Sequence, residues 1–222
     1  PTAIVCGDYD TDGQLDLMVA GAGETALLSR EDGRWMSIMA ETGELGAANS
    51  SEAMPVDACS SDLNGDGRQA VALFCASASP GLYFSRGFAC FGVARSLTFA
   101  DAKLPAAEAL GGGQTAGLLW DLNGDLSPDL LAVDRQQKVW VIHTVPAAQR
   151  RFQLTIESNA KDPLTVTVSL AARLLGMWVI RPGEPTVVAL PRAGKATLRW
   201  RAEDGKETTR EVVVIGPGQV RL

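Results

Sequence analysis

The stretch that decides the fold is Asp8-Tyr9-Asp10-Thr11-Asp12-Gly13-Gln14-Leu15-Asp16, which places acidic side chains at positions 1, 3, 5 and 9 of a short loop. Ca²⁺ is a hard cation that takes about six to eight oxygen ligands, so carboxylates at alternate positions of a tight loop suit it. Gly13 supplies the turn, and the carbonyl of Gln14 at position 7 faces the ion. The loop therefore offers a complete ligand set for calcium.

The same spacing recurs at Asp62–Ala70 and Asp121–Asp129. Repetition argues against coincidence, although Asp and Asn beside Gly also form ordinary solvated turns without metal. The candidate ligands carry a side-chain oxygen or offer the carbonyl at position 7, and they are Asp8, Asp10, Asp12, Gln14, Asp16, Asp62, Asn64, Asp66, Arg68, Asp121, Asn123, Asp125, Ser127 and Asp129. Because ligand charge tunes calcium affinity, we expect the first loop to bind most tightly, then the third, then the second.

An EF-hand begins in the same way, but it needs an acidic side chain at position 12 and a helix on each side. Position 12 is apolar in all three loops, where it is Val19, Leu73 and Ala132. Each loop is followed by a short apolar run between turn signals, which is typical of a buried strand. The loops are therefore predicted to connect strands.

The loops begin 54 and 59 residues apart (62 − 8 and 121 − 62), and a repeat of this size holds about four strands. In the first repeat, Glu24 to Arg30 and Arg34 to Ala40 flank a turn at Glu31-Asp32-Gly33, where glycine accepts the positive φ of a hairpin. The second repeat follows the same plan, with strand, turn and strand at Leu82–Ser85, Arg86-Gly87 and Phe88–Val93. The pattern predicts an all-β fold.

These repeats resemble the FG-GAP, or VCBS-type, calcium-binding repeat of β-propellers. The resemblance lies in an acidic loop followed by an apolar strand at Gly7–Gly21, Ala58–Cys75 and Leu119–Val133. The second loop departs from the family pattern with Ala70 at the closing acid, and the third departs with Leu126 where glycine normally turns. The resemblance implies structural Ca²⁺ and part of a β-propeller, about three blades over residues 1–146.

Propellers close a ring with typically four to eight blades, so three loops supply too few. The chain also starts without Met at Pro1, with Thr2 to Cys6 already strand-like. We therefore expect a processed piece of a longer protein with further blades upstream. The alternative is an open arc, whose strand edges would invite pairing with other chains.

Beyond a predicted boundary at 147–151, six short strands separated by turn formers predict a small antiparallel sandwich or barrel over residues 151–222. The strands are Phe152–Glu157, Leu164–Leu170, Met177–Arg181, Thr186–Leu190, Ala196–Arg201 and Glu207–Ile215. Gly194–Gly205 weakly resembles a hairpin of the ASPIC/UnbV segment that often follows such repeats. That resemblance identifies no site.

Composition and net charge limit the classes of molecule that the chain is expected to bind. The 222 residues are 46% hydrophobic and can bury a substantial core. With 26 acids against 20 bases, the net charge of −6 does not suit nucleic acid, which needs clustered Lys and Arg. No apolar stretch approaches the about 20 residues of a membrane span, and no signal peptide begins the chain. We expect a protein or glycan ligand, no nucleic acid and no membrane span.

Other side chains give no sign of catalysis, since the chain lacks a nucleophile elbow, a phosphate-cradling loop and a zinc-binding helix motif. The one histidine, His143, lies in a strand-like run and is interpreted as structural. The tryptophans are expected to pack between sheets rather than to stack on sugars; they are Trp35, Trp120, Trp140, Trp178 and Trp200. The cysteines are either small buried residues or, in a secreted protein, disulfide-bonded; they are Cys6, Cys59, Cys75 and Cys90.

Two functions fit these observations. The first is a non-catalytic calcium-binding repeat module, extracellular, at the cell surface or periplasmic, that mediates protein or glycan binding, as the resemblance to adhesion-type repeats implies. Extracellular modules bind calcium at about 10⁻⁴ to 10⁻³ M, which suits the weaker loops. The alternative is the distal, structural part of a larger secreted carbohydrate-active enzyme, with its catalytic residues upstream.

Overall fold

The computed structural model describes residues 2–21, 24–38, 54–93, 110–144, 152–171, 173–202 and 205–222. Within these ranges the chain forms eighteen strands in five separate sheets of three or four strands. The all-β prediction is confirmed, and the five sheets are an arrangement compatible with a propeller repeat protein. The division into three blades and a separate small domain stays a prediction.

The chain divides into two compact units. The first contains Pro1–Leu63, Arg68–Asn123 and Pro128–Thr144, and the second contains Asn64–Gly67, Gly124–Ser127 and Val145–Leu222. The domain boundary predicted at 147–151 lies outside the described residues.

The described residues of the first unit form three antiparallel sheets, and in each the strands pair in chain order. The first sheet contains β1 (Ala3–Gly7), β2 (Asp16–Gly21), β3 (Glu24–Glu31) and β4 (Arg34–Ser37). The second sheet contains β5 (Pro55–Ser61), β6 (Ala70–Cys75), β7 (Gly81–Gly87) and β8 (Cys90–Val93). The third contains β9 (Gln114–Trp120), β10 (Asp129–Asp134) and β11 (Val139–Ile142). Each acidic loop joins the first two strands of its sheet, as predicted.

Strand β6 shows how the three sheets stack, because all six of its residues are buried. Successive side chains of a strand point to opposite faces. Val71 and Leu73 belong to a core shared with the first sheet, where Met18 lies. Ala72 and Phe74 belong to a second core, shared with the third sheet. The middle sheet is therefore covered on both faces.

Close backbone packing joins the second and third sheets. A Cβ atom added at Gly117 would lie 2.1 Å from the Phe74 ring, so only glycine fits there without displacement. The Gly117 N–H donates to Asp57 Oδ2 at 3.0 Å. Gln114 also crosses this contact, since its Oε1 accepts from the Cys75 N–H at 2.9 Å. The contact combines apolar burial with hydrogen bonds to backbone groups.

The two predicted hairpins have different outcomes. The first turns at Asp32 and Gly33, with φ of 47° and 78°, so the expected positive φ is confirmed. The second prediction is wrong, because the turn lies at Phe88 and Ala89, with φ of 53° and 57°. The register of β7 and β8 shifts between Ser85 and Gly87. This bulge inserts an extra residue, and the turn moves along the chain.

The described residues of the second unit form two sheets that share one apolar core. Their strands are β12 (Phe152–Glu157), β13 (Leu164–Leu170), β14 (Arg173–Ile180), β15 (Thr186–Leu190), β16 (Gly194–Arg201), β17 (Glu207–Val214) and β18 (Gly218–Arg221). The predicted purely antiparallel arrangement is wrong at one pair, because β18 runs parallel to β12. A strand of four residues after Gly216 carries too short a pattern to be recognised in sequence.

Several predicted burials are corrected. Trp35 and Trp120 were expected to pack between sheets, but both are exposed, because they lie on the outward faces of the first and third sheets. Trp140, Trp178 and Trp200 are half-buried against the cores, in line with the prediction.

All four cysteines are free thiols, and only Cys75 is buried. No helix among the described residues is long and apolar enough to cross a membrane.

We predict that Gly117→Ala destabilises the chain by about 1 to 3 kcal/mol, because the new methyl group overpacks against Phe74. Urea unfolding monitored by circular dichroism measures the change. Gly111→Ala is the matched control, because its Cβ would make only an ordinary contact, 3.7 Å from Ser79 Oγ. An equal loss in both variants would contradict the packing argument.

Candidate metal centre

The three acidic loops share one backbone conformation. Positions 4 and 6 of each loop have positive φ, and in chain order they are Thr11 (69°) and Gly13 (88°), Gly65 (73°) and Gly67 (80°), and Gly124 (78°) and Leu126 (68°). A left-handed conformation costs a non-glycine residue roughly 1 to 2 kcal/mol. Leu126 therefore adopts the turn that glycine makes elsewhere, and its departure from the repeat pattern leaves the loop geometry unchanged.

The first loop closes where β1 and β2 pair, with Gly7 opposite Asp16. Asp16 Oδ2 accepts hydrogen bonds from the backbone N–H groups of Tyr9 (2.8 Å) and Asp10 (3.3 Å). Asp8 Oδ2 accepts one from the Gly13 N–H at 3.1 Å. These bonds turn the carboxylates at both ends of the loop toward its interior.

Asp8, Asp10 and Asp16 each bring a carboxylate oxygen to within 4.8 Å of the other two. Asp8 and Asp16 are buried, and Asp10 is half-buried. Asp16 Oδ1 is buried and has no hydrogen-bond partner. A buried carboxylate oxygen without a partner is costly, and coordination to a cation would satisfy it. The donor set of hard oxygens fits Ca²⁺.

The electrostatics of this cluster also favour a cation. Burial raises the pKa of the Asp16 carboxyl from its ordinary 3.8 to about 6, and the nearby Asp10 charge adds to the rise. Hydrogen bonds from the backbone N–H groups of Tyr9 and Asp10 to Asp16 Oδ2 oppose it. Both opposing donors are neutral, so hydrogen bonding leaves the negative charge in place. A divalent ion would neutralise that charge and lower the pKa again.

Ser29 is a site residue that the loop motif does not reveal. It lies on β3, is buried, and donates from Oγ to Asp10 Oδ2 at 2.8 Å. Its signal in the sequence is weak: a polar side chain at an inward position of the otherwise apolar run Ala26-Leu27-Leu28. Only the pairing of β2 with β3 brings Ser29 to the loop.

Two predicted ligands of the first loop do not join the cluster. Asp12 and Gln14 are exposed, and Asp12 accepts from the Gln14 backbone N–H at 2.7 Å and from Gln14 Nε2 at 2.8 Å. The structure therefore brings together three of the four predicted acids. Coordination by Asp12 or by the Gln14 carbonyl stays a prediction.

The second loop has fewer charges to offer. Its two acids are Asp62 and Asp66, and Asn64 Oδ1 accepts from the Asp66 N–H at 3.2 Å. Ala70 stands where the first loop has the buried Asp16. Ligation by these side chains and by the carbonyl of Arg68 stays a prediction.

In the third loop, the closing acid is already engaged by protein donors. Asp129 is fully buried, and it accepts from the backbone N–H groups of Leu122 (3.2 Å) and Thr144 (3.0 Å). His143 Nδ1 lies 3.1 Å from Asp129 Oδ2. His143 follows β11 and is partnered to this carboxylate, which agrees with a structural role.

The other predicted ligands of the third loop are Asp121, Asn123, Asp125 and Ser127. Asp125 Oδ1 accepts from the Ser127 N–H at 2.8 Å, the counterpart of the bond between Asp12 and Gln14 in the first loop. Across the described parts of the chain, only the first loop gathers three acidic side chains at metal-ligand spacing. The geometry therefore distinguishes the first loop from the other two.

A scan against protein-family models finds no match to this chain, and a search of curated proteins finds none either. The likeness to FG-GAP/VCBS-type repeats and to the ASPIC/UnbV segment therefore remains a resemblance. It rests on the loop residues and the strands that follow them.

We predict that Asp16→Asn stabilises the metal-free protein by about 1 to 3 kcal/mol at pH 7. The folded pKa lies above the ordinary 3.8, so the penalty for the ionised carboxylate grows as pH rises from 3.8 and is complete above about pH 6. Asparagine keeps an acceptor for the Tyr9 N–H and removes the charge. Urea unfolding in EDTA measures the difference, and a large loss of stability instead would show that the charge is compensated.

Proposed function

We propose that this chain is a non-catalytic calcium-binding repeat module, and that its first loop holds a structural Ca²⁺. One observation carries the proposal: Asp8, Asp10 and Asp16 converge, and the buried Asp16 Oδ1 has no hydrogen-bond partner. Hard oxygen ligands, negative charge and a turn at Gly13 are what calcium requires of a protein loop.

The residues that would hold the ion are Asp8, Asp10 and Asp16, and Asp12 and the Gln14 carbonyl complete the proposed set. A bound Ca²⁺ supplies positive charge and fixed coordination, and so offsets the mutual repulsion of these carboxylates. Asp8 directly follows β1, and Asp16 is the first residue of β2. Joining them through one ion would pin these two strands and hold Thr11 in its left-handed conformation.

A structural role suits this cluster better than a catalytic one. Its acids accept hydrogen bonds from the backbone of their own loop, so they are committed to the shape of that loop. Tyr9 anchors the loop to the core, since its ring is fully buried and the centroids of the Tyr9 and Phe91 rings lie 5.6 Å apart. Burial raises the pKa of the Tyr9 phenol far above its usual range, so it stays neutral.

The wider organisation belongs to the same proposal. The first three sheets act as blades of a calcium-pinned propeller, which is supported by their face-to-face stacking through two cores. The last two sheets act as a small sandwich, which is supported by their single shared core. A location outside the cytoplasm and a protein or glycan partner rest on the resemblance to adhesion-type repeats.

Thermal unfolding in EDTA and in millimolar Ca²⁺ tests the metal. A ligand that binds only the folded state stabilises it by about 2.7 kcal/mol at a concentration 100 times its Kd, so the midpoint should rise with calcium. An unchanged midpoint would mean that the three loops are ordinary turns.

We predict that Asp8→Asn removes most of the stabilisation by calcium, because it takes one charge from the cluster. Asp32→Asn is the matched control: it makes the same charge change in an exposed hairpin turn of the same unit and should keep the full response.

The predicted order of affinity has its own test. Asp129→Asn should leave most of the calcium response intact, because the Asp129 carboxylate is already held by Leu122, His143 and Thr144. Titration calorimetry of both variants measures the remaining binding. Loss of the tightest site in Asp129→Asn, with the site retained in Asp8→Asn, would reverse the order.

A further inference from the structure

Among the described residues of the first unit, two sheet faces carry exposed apolar side chains. The preceding face of a sheet is the face that, in the second and third sheets, packs on the sheet before it in the chain. The following face is the opposite one, which in the first and second sheets packs on the next sheet. The preceding face of the first sheet carries the exposed Ile4 and Trp35, the half-buried Leu17, Val19 and Leu28, and the exposed Arg30 at its edge. The following face of the third sheet carries Leu118, Trp120, Leu131, Val139 and Val141, and Leu122 extends it into the loop. Ile4, Trp35, Leu118, Trp120, Leu122, Val139 and Val141 are exposed.

The middle sheet shows what such faces do when they are covered. Counting from the first acid of each loop, Ile4 corresponds to Ala58, which packs in the core shared with the first sheet. Leu118 corresponds in the same way to Cys59, which packs in the core shared with the third sheet. The two uncovered faces are therefore copies of faces that, one sheet along, are buried against a neighbouring sheet.

The correspondence extends to one specific contact. In the packing of the first sheet on the second, Tyr9 from the loop of one lies against Phe91 from the last strand of the other. By the same count, Tyr9 corresponds to Leu122 of the third loop, which is 45% exposed. Phe91 corresponds to Trp35, which is 46% exposed, because each is the second residue of the last strand of its sheet. Tyr9 and Phe91 are 0% and 1% exposed. Leu122 and Trp35 therefore occupy the positions of Tyr9 and Phe91, but both are exposed.

We propose that a second copy of this chain covers both faces. The third sheet of each copy packs on the first sheet of the other, so Leu122 of one copy meets Trp35 of its partner. The contact joins two different surfaces, and two such contacts made at once close the assembly. The resulting ring would contain six sheets, within the usual four to eight of propellers. It extends the proposed propeller organisation but does not depend on calcium.

The register of the two faces indicates that a second copy of this chain covers them. Each has the register of a face that, elsewhere in the unit, accepts a sheet of this same repeat, and the chain carries both halves of the contact. A like-with-like pairing would bring together two preceding faces or two following faces, which no contact within the unit does. The inferred partner is therefore this chain, joined head to tail.

Sedimentation equilibrium of the full chain measures the mass. We expect twice the 23.4 kDa of one chain, in calcium and in EDTA alike. A monomer at the highest soluble concentration would overturn the proposal in favour of further repeats of a longer chain on these faces, while leaving the calcium site untouched. A calcium-independent dimer would support it even if the loops bind no metal.

Complementation between variants tests the head-to-tail geometry. Ile4→Asp blocks the preceding face and Leu118→Asp blocks the following face, and both positions are exposed in the single chain. Each variant alone should be monomeric, because both contacts of its homodimer include a blocked face. An equimolar mixture should form dimers again, because one contact then joins two intact faces. A variant that still dimerises alone, or a mixture that stays monomeric, would overturn the geometry.

Val179→Asp is the matched control, since it places the same charge on an exposed valine of the second unit. It should dimerise like the parent chain. Near-ultraviolet circular dichroism confirms that all variants are folded. Loss of the dimer in Val179→Asp as well would show that a generally altered surface charge, rather than the two faces, controls association.

Discussion

The burial of strand β6 on both faces is the constraint on which the first unit depends. A strand with only one buried face alternates apolar and polar side chains, whereas Ala70–Cys75 is apolar throughout and wholly buried. Its two sets of side chains enter different cores, one shared with each neighbouring sheet. The middle sheet therefore positions the other two sheets, because each packs on one of its faces. The first and third sheets each have only one face packed on another sheet of the unit, and their other faces carry exposed apolar side chains.

The acidic loops stand at the same place in each sheet, so they are part of this stacking. Position 2 of the loop supplies an apolar side chain to the following core: Tyr9 in the first loop and Leu63 in the second. Positions 1 and 9 carry the acids that close the loop in the first and third sheets. A loop of this kind therefore has two roles at once, because its apolar side chain packs between sheets while its carboxylates collect charge at the strand ends.

The sequence predicts repeating and local features best. Spacing of acids and glycines located all three loops, and the turn at Gly33 followed from its need for positive φ. Features that depend on distant partners were missed: Ser29 reaches Asp10 only through the pairing of β2 with β3, and β18 pairs with a strand about sixty residues earlier. The turn at Phe88 was misplaced because a bulge shifts the register without a sequence signal of its own.

The amino-acid sequence by itself determined the all-β class, the position of the loops and the residue types that suit calcium, because these depend on periodicity and spacing within a few residues. The tertiary structure alone decided which acids converge. Asp16 and Asp129 occupy equivalent positions, and each accepts a hydrogen bond from the N–H at position 2 of its loop. Asp16 keeps a carboxylate oxygen without a partner, whereas Asp129 is also held by Thr144 and His143. The difference arises because the chain after β11 returns to the third loop, and only folding brings those donors to the buried carboxylate.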